Sequence, residues 1–580
     1  MKFDTLVLPA VLLSSVSQAT LTSRHGHYET PNDTIVDTEG NKLGAVASQA
    51  KICSEIGGDI LKKGGNAADA TVGTVLCVGV IGMHHSGIGG GGFLLVRSDN
   101  GSYEYIDFRE TAPAAAFQDM YNNNTNASLY GGLASGVPGE LRGLQHLHEN
   151  YGVLPWKDLV LPAAKVARDG FPVGKDLVRY MDSAVASAEP VIGNFLVDDP
   201  NWAIDFAPNG TRLGLGDIIT RKRYAATLET IADQGPDAFY SGPLAKTWIN
   251  HIQATGGNMT LEDLKNYTVA IRKPASITYR DFNVHSCSAP SSGTVAMSVL
   301  KIIEGYKEIG WATTTNESTH IFDEALRFAY GQRSSLGDPS FVEGLAEYEA
   351  DMLSVETVEA VRAKLDPLRT LNVSDYDPSG FESLETPGTS AVSVADANGM
   401  AIALTTTVNL LFGSKVLIPE TGIIANNEMN DFSVPGSSNA FGYIPSPANY
   451  IRPGKRPLSS ITPTIVEHSS NGTLYFVTSA AGGSRILTST AQNLWNVLDK
   501  NATAAESLAA PRLHDQLVPN QVSFEYAYDN ATVAYLASLG HNVTWVAPGQ
   551  SSSQQLRRLS NGTFEAASEP RQLDSAGVAV

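Results

Sequence analysis

The sequence predicts a layered α/β protein, and three observations lead to that prediction. The segment Ala67–Val80 is a nearly all-apolar run of helical length, which indicates a buried helix. In the C-terminal third, Ser390–Ala395 and Met400–Asn409 are rich in Val, Ile and Thr and are joined near Asn398-Gly399, a pattern typical of a β-hairpin. The chain has 580 residues, 42% of them hydrophobic and 17% charged, so it is neither disordered nor fibrous and has material for several layers.

The other elements follow from the same kinds of pattern. Helices are predicted at Ala45–Gly64, Leu141–Glu149, Leu159–Arg168, after the capping box Thr260–Asp263, at Thr319–Arg333 and at Ser484–Leu498. Short strands are predicted at Phe93–Val96, Glu104–Phe108, Ile461–Val466 and Leu474–Thr478. The sequence shows no internal repeat, and no low-complexity linker divides it into domains.

The N-terminus has the features of a secretory signal peptide. Lys2 precedes the apolar run Leu6–Leu13, and Ser17-Gln18-Ala19 has the small-x-small form of a cleavage site, which predicts a signal at residues 1–19. The run is too short for a membrane span and contains Pro9. We therefore expect a product of the secretory pathway, either extracellular or vacuolar, with no stable membrane span.

Glycosylation sequons and charge agree with that compartment. More than a dozen Asn-x-Ser/Thr sequons occur, including those at Asn123, Asn209, Asn258, Asn372, Asn471 and Asn542. The formal net charge is −20, which disfavours binding to nucleic acid or to anionic membrane surfaces. Three cysteines are too few for a disulfide scaffold, although Cys53 and Cys77 are available to pair in an oxidising compartment, with Cys287 left as a buried thiol.

Two conspicuous motifs are interpreted as structural and not as functional sites. The glycine run Gly87–Gly92 lacks the Gly-Lys-Ser/Thr ending of a nucleotide loop and lies between a helix and a strand in the wrong order, so we interpret it as a tight turn. The histidines His84-His85 and His146-x-His148 do not share a helix face and have no acidic partner at metalloprotease spacing. We therefore expect no nucleotide or metal site at these residues.

Several polar residues are suited to binding charged groups. Arg109 has the geometry for a bidentate contact to a carboxylate, and the hydroxyls of Ser459 and Ser460 precede a strand. Glu428 and Asp431 lie three residues apart and can clamp an ammonium group. The backbone N–H groups of Gly482-Gly483, at the start of a predicted helix, can stabilise an oxyanion. Each feature alone also has an ordinary structural explanation.

Thr389 follows Pro387-Gly388 and opens the first strand of the hairpin. A three-residue hairpin loop places Thr389 opposite Thr407, whereas a two-residue loop places it opposite Val408. The sequence does not choose between these registers.

At these residues the sequence resembles the γ-glutamyltranspeptidases (glutathione hydrolases), members of the N-terminal-nucleophile hydrolase superfamily. The similar segments run in family order from about residue 43 to the C-terminus: Asp107–Pro113, Gly136–Gly139, Leu154–Lys157, Gly337–Pro339, Thr405–Gly413, Asn426–Phe432, Arg456–Ser460 and Ala481–Arg485.

The resemblance implies a four-layer αββα sandwich and a precursor that cuts itself between Gly388 and Thr389. The products would be a large subunit of residues 20–388 and a small catalytic subunit of residues 389–580, which remain one folded unit. A threonine at a new chain terminus carries its own base, because its α-amine titrates near pH 7.7–8.0. Self-cleavage is then the activating step, since an amide nitrogen is not a base.

Residue roles are carried over by position. Thr389 would attack the γ-carbonyl of a donor such as glutathione, Thr407 would orient it, and the N–H groups of Gly482 and Gly483 would form the oxyanion hole. The donor α-carboxylate would bind Arg109, Ser459 and Ser460, and its α-ammonium Asn409, Glu428 and Asp431. The γ-glutamyl group would pass to water or to an amino acid or dipeptide acceptor, without a metal or organic cofactor.

Three further features follow from the resemblance. The family usually has His two residues after the nucleophile, where this chain has Ala391, and Met400 replaces the usual Asn or Ser; slower self-cleavage is the expected consequence. Ser433–Ile451 is similar to the family's lid, with Phe441 at its aromatic position. Cys53 and Cys77 lie at a spacing similar to that of a large-subunit disulfide in some members.

Two alternatives remain open at this point. A related acylase that acts on β-lactam side chains would not need the complete ammonium clamp of Asn409, Glu428 and Asp431. A glycoprotein that never matures because of Ala391 would bind ligands without catalysis.

Overall fold

The computed structural model describes residues 40–377, 379–380, 388–436 and 445–580. The predicted signal peptide and Phe441 lie outside the described residues. In chain order the strands are β1 Gly44–Ser48, β2 Gly91–Arg97, β3 Tyr103–Asp107, β4 Phe171–Pro172, β5 Ile218–Ile219, β6 Ala270–Arg272, β7 Ala275–Tyr279, β8 Phe282–Ser286, β9 Ser390–Asp396, β10 Ala401–Thr407, β11 Thr464–His468, β12 Leu474–Ala481, β13 Leu513–His514, β14 Val522–Glu525, β15 Val543–Val546, β16 Ser552–Arg558, β17 Phe564–Ala567 and β18 Ala576–Ala579.

The helices in the same part of the chain are α1 Lys51–Lys62, α2 Ala67–Ile81, α3 Glu140–Tyr151, α4 Trp156–Asp169, α5 Lys175–Ile192, α6 Phe195–Asp198, α7 Pro200–Phe206, α8 Lys222–Gln234, α9 Asp237–Tyr240, α10 Pro243–Ala254, α11 Leu261–Asn266, α12 Gly293–Ile303, α13 Thr315–Arg333, α14 Leu345–Met352, α15 Val355–Lys364, α16 Val373–Tyr376, α17 Arg485–Leu498, α18 Ala504–Ala509 and α19 Asn530–Ser538. The predicted capping box at Thr260 opens α11, and its side chain accepts from the Asp263 N–H.

Two large sheets face each other between two helical layers. One sheet has the order β18-β1-β9-β10-β2-β3-β6 and the other β17-β16-β12-β11-β8-β7. Side chains such as Ala403, Phe93 and Val477 fill the space between the sheets. Helices α1, α2 and α3 pack on the outer face of the first sheet, with α4 against α2. Helices α12 and α17 pack on the outer face of the second sheet, with α13 against α12. The order of layers is therefore αββα, as the resemblance implied.

Side-chain alternation along β9 and β10 decides which residues reach the space between the sheets. Ser393 donates to the Gln554 carbonyl of β16, and Thr405 donates to the Ala480 carbonyl of β12. Since alternate residues share a face, Thr389 and Thr407 lie on this same inner face. They lie at the ends of their strands, where β12 also ends and Gly482 follows.

The first predicted helix was wrong at its start. Ala45 to Ser48 form strand β1, and the helix begins only at Lys51. Strand β1 is buried along its whole length because helices cover one face and the second sheet the other. A central strand of this kind has no polar alternation, so its apolar residues were read as the first turn of a helix.

Cys53 of α1 and Cys77 of α2 form a disulfide with a Cα–Cα distance of 5.3 Å, as the resemblance implied, and Cys287 is a buried free thiol. Within the described ranges, none of the helices combines the length and the apolar character that a bilayer span requires. The buried helix α2 is held at its start by a capping box between Asn66 and Asp69.

Candidate active site

The hairpin has the register in which the two threonines are opposite each other. Ser390 pairs with Thr406 and Ala391 with Thr405, so one further step places Thr389 opposite Thr407. The turn contains three residues between Asp396 and Met400, and Gly399 adopts φ +87°, a conformation that favours glycine. Of the two registers left open by the sequence, the three-residue loop is the one that forms.

The Gly388–Thr389 peptide has a strained backbone. Thr389 has φ +98°, which is rare for a β-branched residue and marks stored strain. Gly388 has φ +138°, and a Cβ atom there would lie 1.7 Å from the carbonyl oxygen of Asn409. Only glycine therefore fits immediately before Thr389.

A single backbone N–H group is hydrogen-bonded to both the Gly388 carbonyl and the Thr389 hydroxyl. The Gly482 N–H donates to the Gly388 carbonyl oxygen at 3.1 Å and to Thr389 Oγ1 at 3.0 Å. Gly482 follows strand β12 and has φ +126°. A donor in this position polarises the carbonyl and fixes the hydroxyl beside it, which is the arrangement needed for attack by Thr389 on the preceding peptide bond.

Thr407 and Asn409 complete the end of the hairpin. Thr407 is fully buried, and its Oγ1 accepts from the Asn409 N–H at 2.7 Å. Asn409 has φ +69°, and its side-chain amide donates to the Asn427 carbonyl at 3.0 Å. These bonds connect the end of β10 to the segment that carries Glu428.

A buried charge cluster lies next to the threonines. Arg109, which follows β3, forms ion pairs with Glu428 and, at 2.5 Å, with Asp431. Glu428–Asp431 form a single 3-10 turn. Burial opposes the charge on Arg109, but Glu428 and Asp431 outweigh it and raise the pKa of Arg109. Burial raises the pKa of Glu428 well above its ordinary value, although Arg109 works in the opposite direction.

Every predicted site residue lies at one place. They surround a narrow cavity of about 10 Å³, which has room for about one water molecule. Its lining consists of the predicted residues Arg109, Thr389, Thr407, Asn409, Glu428, Asp431, Ser459, Ser460 and Gly483, together with Gly388, Ile461 and Ile486. Gly482 is the remaining member, and its N–H contacts Thr389. The structure thus brings together positions that are up to 374 residues apart in the chain (109 and 483).

Two residues in this neighbourhood were missed by sequence reasoning. Glu110 is buried beside Arg109, and burial raises the pKa of its carboxyl group above the ordinary value. Arg333, at the end of α13, donates to Ser460 Oγ at 3.1 Å and to Ser292 Oγ at 3.0 Å. Glu110 is adjacent to Arg109 in sequence, which was an available signal, whereas nothing in the sequence connects Arg333 with Ser460.

Ala391 lies in β9 opposite Thr405 and is 2% exposed. Two positions after Thr389, it shares the inner face of the sheet. The position at which the resemblance implies His is thus a small, buried residue in this chain.

A possible metal-binding group is found elsewhere. Over the described ranges, His320, Glu324 and His541 offer three ligand atoms within 4.8 Å of one another. His320 Nδ1 and His541 Nε2 are 2.8 Å apart, and His541 Nδ1 lies 2.9 Å from Asp323 Oδ2. The two histidine rings are hydrogen-bonded to each other, and none of these four side chains lines the cavity at Thr389.

The αββα layers and the threonine at the end of the paired inner strands define an enzyme of the N-terminal-nucleophile hydrolase class. Solved structures agree with this class. A cephalosporin acylase from Bacillus halodurans has a TM-score of 0.80 at 25% identity and covers 93% of this chain and 96% of that one. The γ-glutamyltranspeptidase of Helicobacter pylori has a TM-score of 0.53 at 30% identity, over 57% of this chain and 95% of that one.

Sequence comparison identifies the family. The model of the γ-glutamyltranspeptidase family matches residues 53–579. A glutathione hydrolase proenzyme of Arthroderma benhamiae is 55% identical, with 93% of each chain covered, and a glutathione hydrolase of Aspergillus flavus is 50% identical over 93% of this chain and 90% of that one. The chain belongs to the γ-glutamyltranspeptidase family, and the family resemblance stated from the sequence is confirmed.

Proposed function

We propose that this chain cuts itself before Thr389 and then hydrolyses or transfers the γ-glutamyl group of glutathione and related amides. The observation that carries the proposal is the convergence on Thr389 of the Gly482 N–H donor and the charge cluster of Arg109, Glu428 and Asp431. The first group stabilises a developing oxyanion, and the second recognises the two charges of an amino acid.

Maturation begins with attack of Thr389 Oγ1 on the carbonyl carbon of Gly388. The C–N bond breaks, an ester forms between Gly388 and the threonine oxygen, and the freed nitrogen becomes the α-amine of Thr389. Hydrolysis of that ester releases the Gly388 carboxylate. The Gly482 N–H already donates to the Gly388 oxygen, and the positive φ of Thr389 raises the energy of the bond that breaks.

The donor α-carboxylate is held by Arg109, Ser459 and Ser460, and the α-ammonium by Asn409, Glu428 and Asp431. Because the cavity has only about 10 Å³ of free volume, the donor enters by exchanging ion pairs. Its carboxylate takes over contacts of Arg109 while its ammonium takes over those of the two acids. An entering ammonium also favours the ionised form of Glu428, whose pKa burial has raised.

Thr389 and the Gly482 N–H, which act in self-cleavage, act again in turnover of the donor. The α-amine of Thr389 accepts the hydroxyl proton as Oγ1 attacks the γ-carbonyl, and it returns a proton to the leaving amine. The N–H groups of Gly482 and Gly483 stabilise the oxyanion, and Thr407 orients the nucleophile. Water or an acceptor amine then attacks the γ-glutamyl ester and regenerates Thr389.

The acylase alternative is favoured by the TM-score of 0.80 to the Bacillus halodurans cephalosporin acylase. A glutaryl side chain has no α-ammonium group, so that activity leaves Glu428 and Asp431 without a ligand charge to bind. Their position at the cavity beside Arg109 is the reason to prefer a γ-glutamyl donor.

We also propose that the protein matures in the secretory pathway, extracellular or vacuolar. The Cys53–Cys77 disulfide is typical of an oxidising compartment. Of the sequon asparagines named above, Asn123, Asn209, Asn372, Asn471 and Asn542 are exposed and Asn258 is half-buried, so none is hidden from a glycosyltransferase.

The test begins with a denaturing gel of the deglycosylated protein and N-terminal sequencing of the small band. We expect a fragment of about 20 kDa that starts Thr389-Ser390-Ala391, together with release of p-nitroaniline from γ-glutamyl-p-nitroanilide and little cleavage of a glutaryl amide. The Thr389→Ala variant should remain one chain without activity. An uncut and inactive wild-type chain would favour the binding-protein alternative, and preference for the glutaryl amide would favour the acylase.

A further inference from the structure

Two histidines and a glutamate form a buried group of side chains away from Thr389. His320 and Glu324 lie four residues apart on α13, so their side chains share one face of the helix. His541 follows α19, and its ring centroid lies 5.1 Å from that of His320. One nitrogen of each ring and one oxygen of Glu324 lie within 4.8 Å of one another, and all three residues are buried. Imidazole and carboxylate groups in this arrangement are typical ligands of a metal ion.

The hydrogen bonds of His320 fix the position of its ring proton. Its Nε2 lies 2.9 Å from the Asp366 carbonyl oxygen, and since a carbonyl oxygen only accepts, Nε2 carries the proton. Nδ1 of the neutral ring is then a lone pair, and it faces His541 Nε2 at 2.8 Å. In a neutral His541 ring, Nε2 can donate to this lone pair only if Nδ1 has no proton.

Asp323 opposes that arrangement of His541. Its Oδ2 lies 2.9 Å from His541 Nδ1, and an ionised carboxylate at this distance favours a proton on Nδ1. Apart from this contact, the fully buried carboxylate of Asp323 has no hydrogen-bond partner among the described residues. With Asp323 ionised and both rings neutral, two lone pairs therefore meet, either between the rings or between His541 and Asp323.

A metal ion removes both conflicts. Bound to His320 Nδ1 and His541 Nε2, it takes up both lone pairs and leaves the proton on the side of His541 that faces Asp323. Glu324 Oε2 accepts from the Tyr376 hydroxyl at 2.7 Å, and Oε1 lies 3.8 Å from His541 Nε2, where it can serve as the third ligand. Zinc bound tetrahedrally at about 2.0–2.2 Å separates its ligand atoms by about 3.3 Å, so the ring nitrogens need to move apart by roughly half an ångström.

We infer that His320, Glu324 and His541 bind one divalent ion of the zinc class, and that Asp323 holds the His541 ring in the tautomer that binds it. Two imidazoles and one carboxylate suit Zn²⁺ and similar transition-metal ions, whereas Ca²⁺ and Mg²⁺ prefer oxygen ligands alone. None of these side chains lines the cavity at Thr389, so the ion is structural and takes no part in the proposed chemistry.

In the mature protein this ion joins the two subunits. His320 and Glu324 precede the proposed cut before Thr389, and His541 follows it. This part of the inference rests on the proposed function, whereas the metal site itself does not. Because the ligands come together only when both subunits are folded against each other, bound metal opposes their dissociation.

The first test measures metal in the full chain, expressed without an affinity tag in medium supplied with Zn²⁺ and dialysed against metal-free buffer. Mass spectrometry of the elements should find about one zinc per chain. Chelation should lower the melting temperature by several degrees, and Zn²⁺ should restore it while Ca²⁺ and Mg²⁺ do not. Replacement by Co²⁺ should give the visible absorption of a cobalt ion bound by nitrogen and oxygen ligands.

Variants then test the individual residues. His541→Gln and Glu324→Gln each remove a ligand and should lose the bound zinc and the cobalt absorption. Asp323→Asn removes the positioning carboxylate and should weaken zinc binding by about 10–100-fold. The matched control is His514→Gln, because His514 is 6% exposed against 5% for His541, accepts or donates a hydrogen bond with Thr488 and lies outside the group. This variant should keep its zinc, and circular dichroism verifies that each variant has folded.

The results for metal and for self-cleavage separate this inference from the proposed function. If the folded wild type retains no zinc, or if His514→Gln loses as much zinc as His541→Gln, the metal site is wrong and the proposed function stands. A proton on Asp323 would then satisfy the two rings. If the protein holds zinc but remains uncut, the metal site stands, while the bridge between subunits and the proposed function are both overturned.

The bridge has a separate measurement. The mature protein, with and without prior chelation, is passed through a size-exclusion column at increasing urea concentrations. The small subunit should separate at a lower urea concentration after chelation, and added Zn²⁺ should reverse the change. Separation at the same concentration in both samples would overturn the bridge.

Discussion

We predict that self-cleavage depends on the Gly482 N–H, and that Gly482→Ala removes this donor from its position. An alanine Cβ at residue 482 would lie 2.6 Å from the Gln550 carbonyl oxygen and 2.8 Å from Ser551 Cα. Both are backbone atoms that cannot rotate away. The φ of +126° is in addition unfavourable for any side chain and costs about 1–3 kcal/mol. The strand end must therefore shift, and the N–H leaves the Gly388 oxygen.

Loss of one oxyanion donor typically lowers a rate by roughly 10²–10³. We expect the half-life of the uncut Gly482→Ala chain to rise by that factor, measured by the appearance of the small subunit on a denaturing gel after synthesis is stopped. The control is Gly256→Ala, where φ is +91° but no atom lies within 4 Å of the added Cβ. The Gly256→Ala variant therefore has the conformational cost of a side chain at positive φ, but its Cβ displaces no neighbouring atom.

The reasoning fails if Gly482→Ala is folded, as judged by its melting temperature and circular dichroism, and still cuts itself at the wild-type rate. It also fails if Gly256→Ala slows cleavage to the same extent. In that case backbone strain alone, and not the position of the N–H, would explain the loss.

Two further predictions concern stability. Cys53→Ser opens a disulfide across a separation of 24 residues, for which loop entropy gives about 3.5 kcal/mol, so the denaturant midpoint should fall; an unchanged midpoint would contradict this. Burial raises the pKa of Glu140 from 4.5 to about 7, so the folded state favours the protonated form and stability is lost as pH rises through that interval. Glu140→Gln removes this penalty of about 3 kcal/mol, and its melting temperature should exceed that of the wild type by more at pH 8.5 than at pH 5; an equal difference at both pH values would refute the assignment.

Local patterns were sufficient for elements whose exposure follows a simple period. The buried helix α2 and the hairpin of β9 and β10 were predicted because an unbroken apolar run and an Asn-Gly turn are unambiguous signals. Strand β1 was missed because both its faces are buried, and such a strand has no period to detect. The register of the hairpin stayed open because loops of two and three residues fit the same turn sequence.

The site depended on long-range pairing that local patterns do not contain. Arg109 meets Glu428 and Asp431 across more than 300 residues, and only the family resemblance placed them together before the structure did. The contact of Arg333 with Ser460 was predicted neither from local patterns nor from the family resemblance. This bond to Ser460 Oγ joins two residues 127 positions apart in the chain, and no sequence motif predicts that contact.

Gly388 and Thr389 line both the narrow cavity and a second cavity, a cleft of about 730 Å³ whose lining also includes Gly482, so the peptide bond between them lies at the boundary of the two. A donor that spans both sides would have to occupy the space where the uncut chain runs. The precursor is then inert for a geometric reason as well as a chemical one. The proposed cut between Gly388 and Thr389 would then have two effects at once: it frees the α-amine that serves as the base, and it opens a passage between the two cavities.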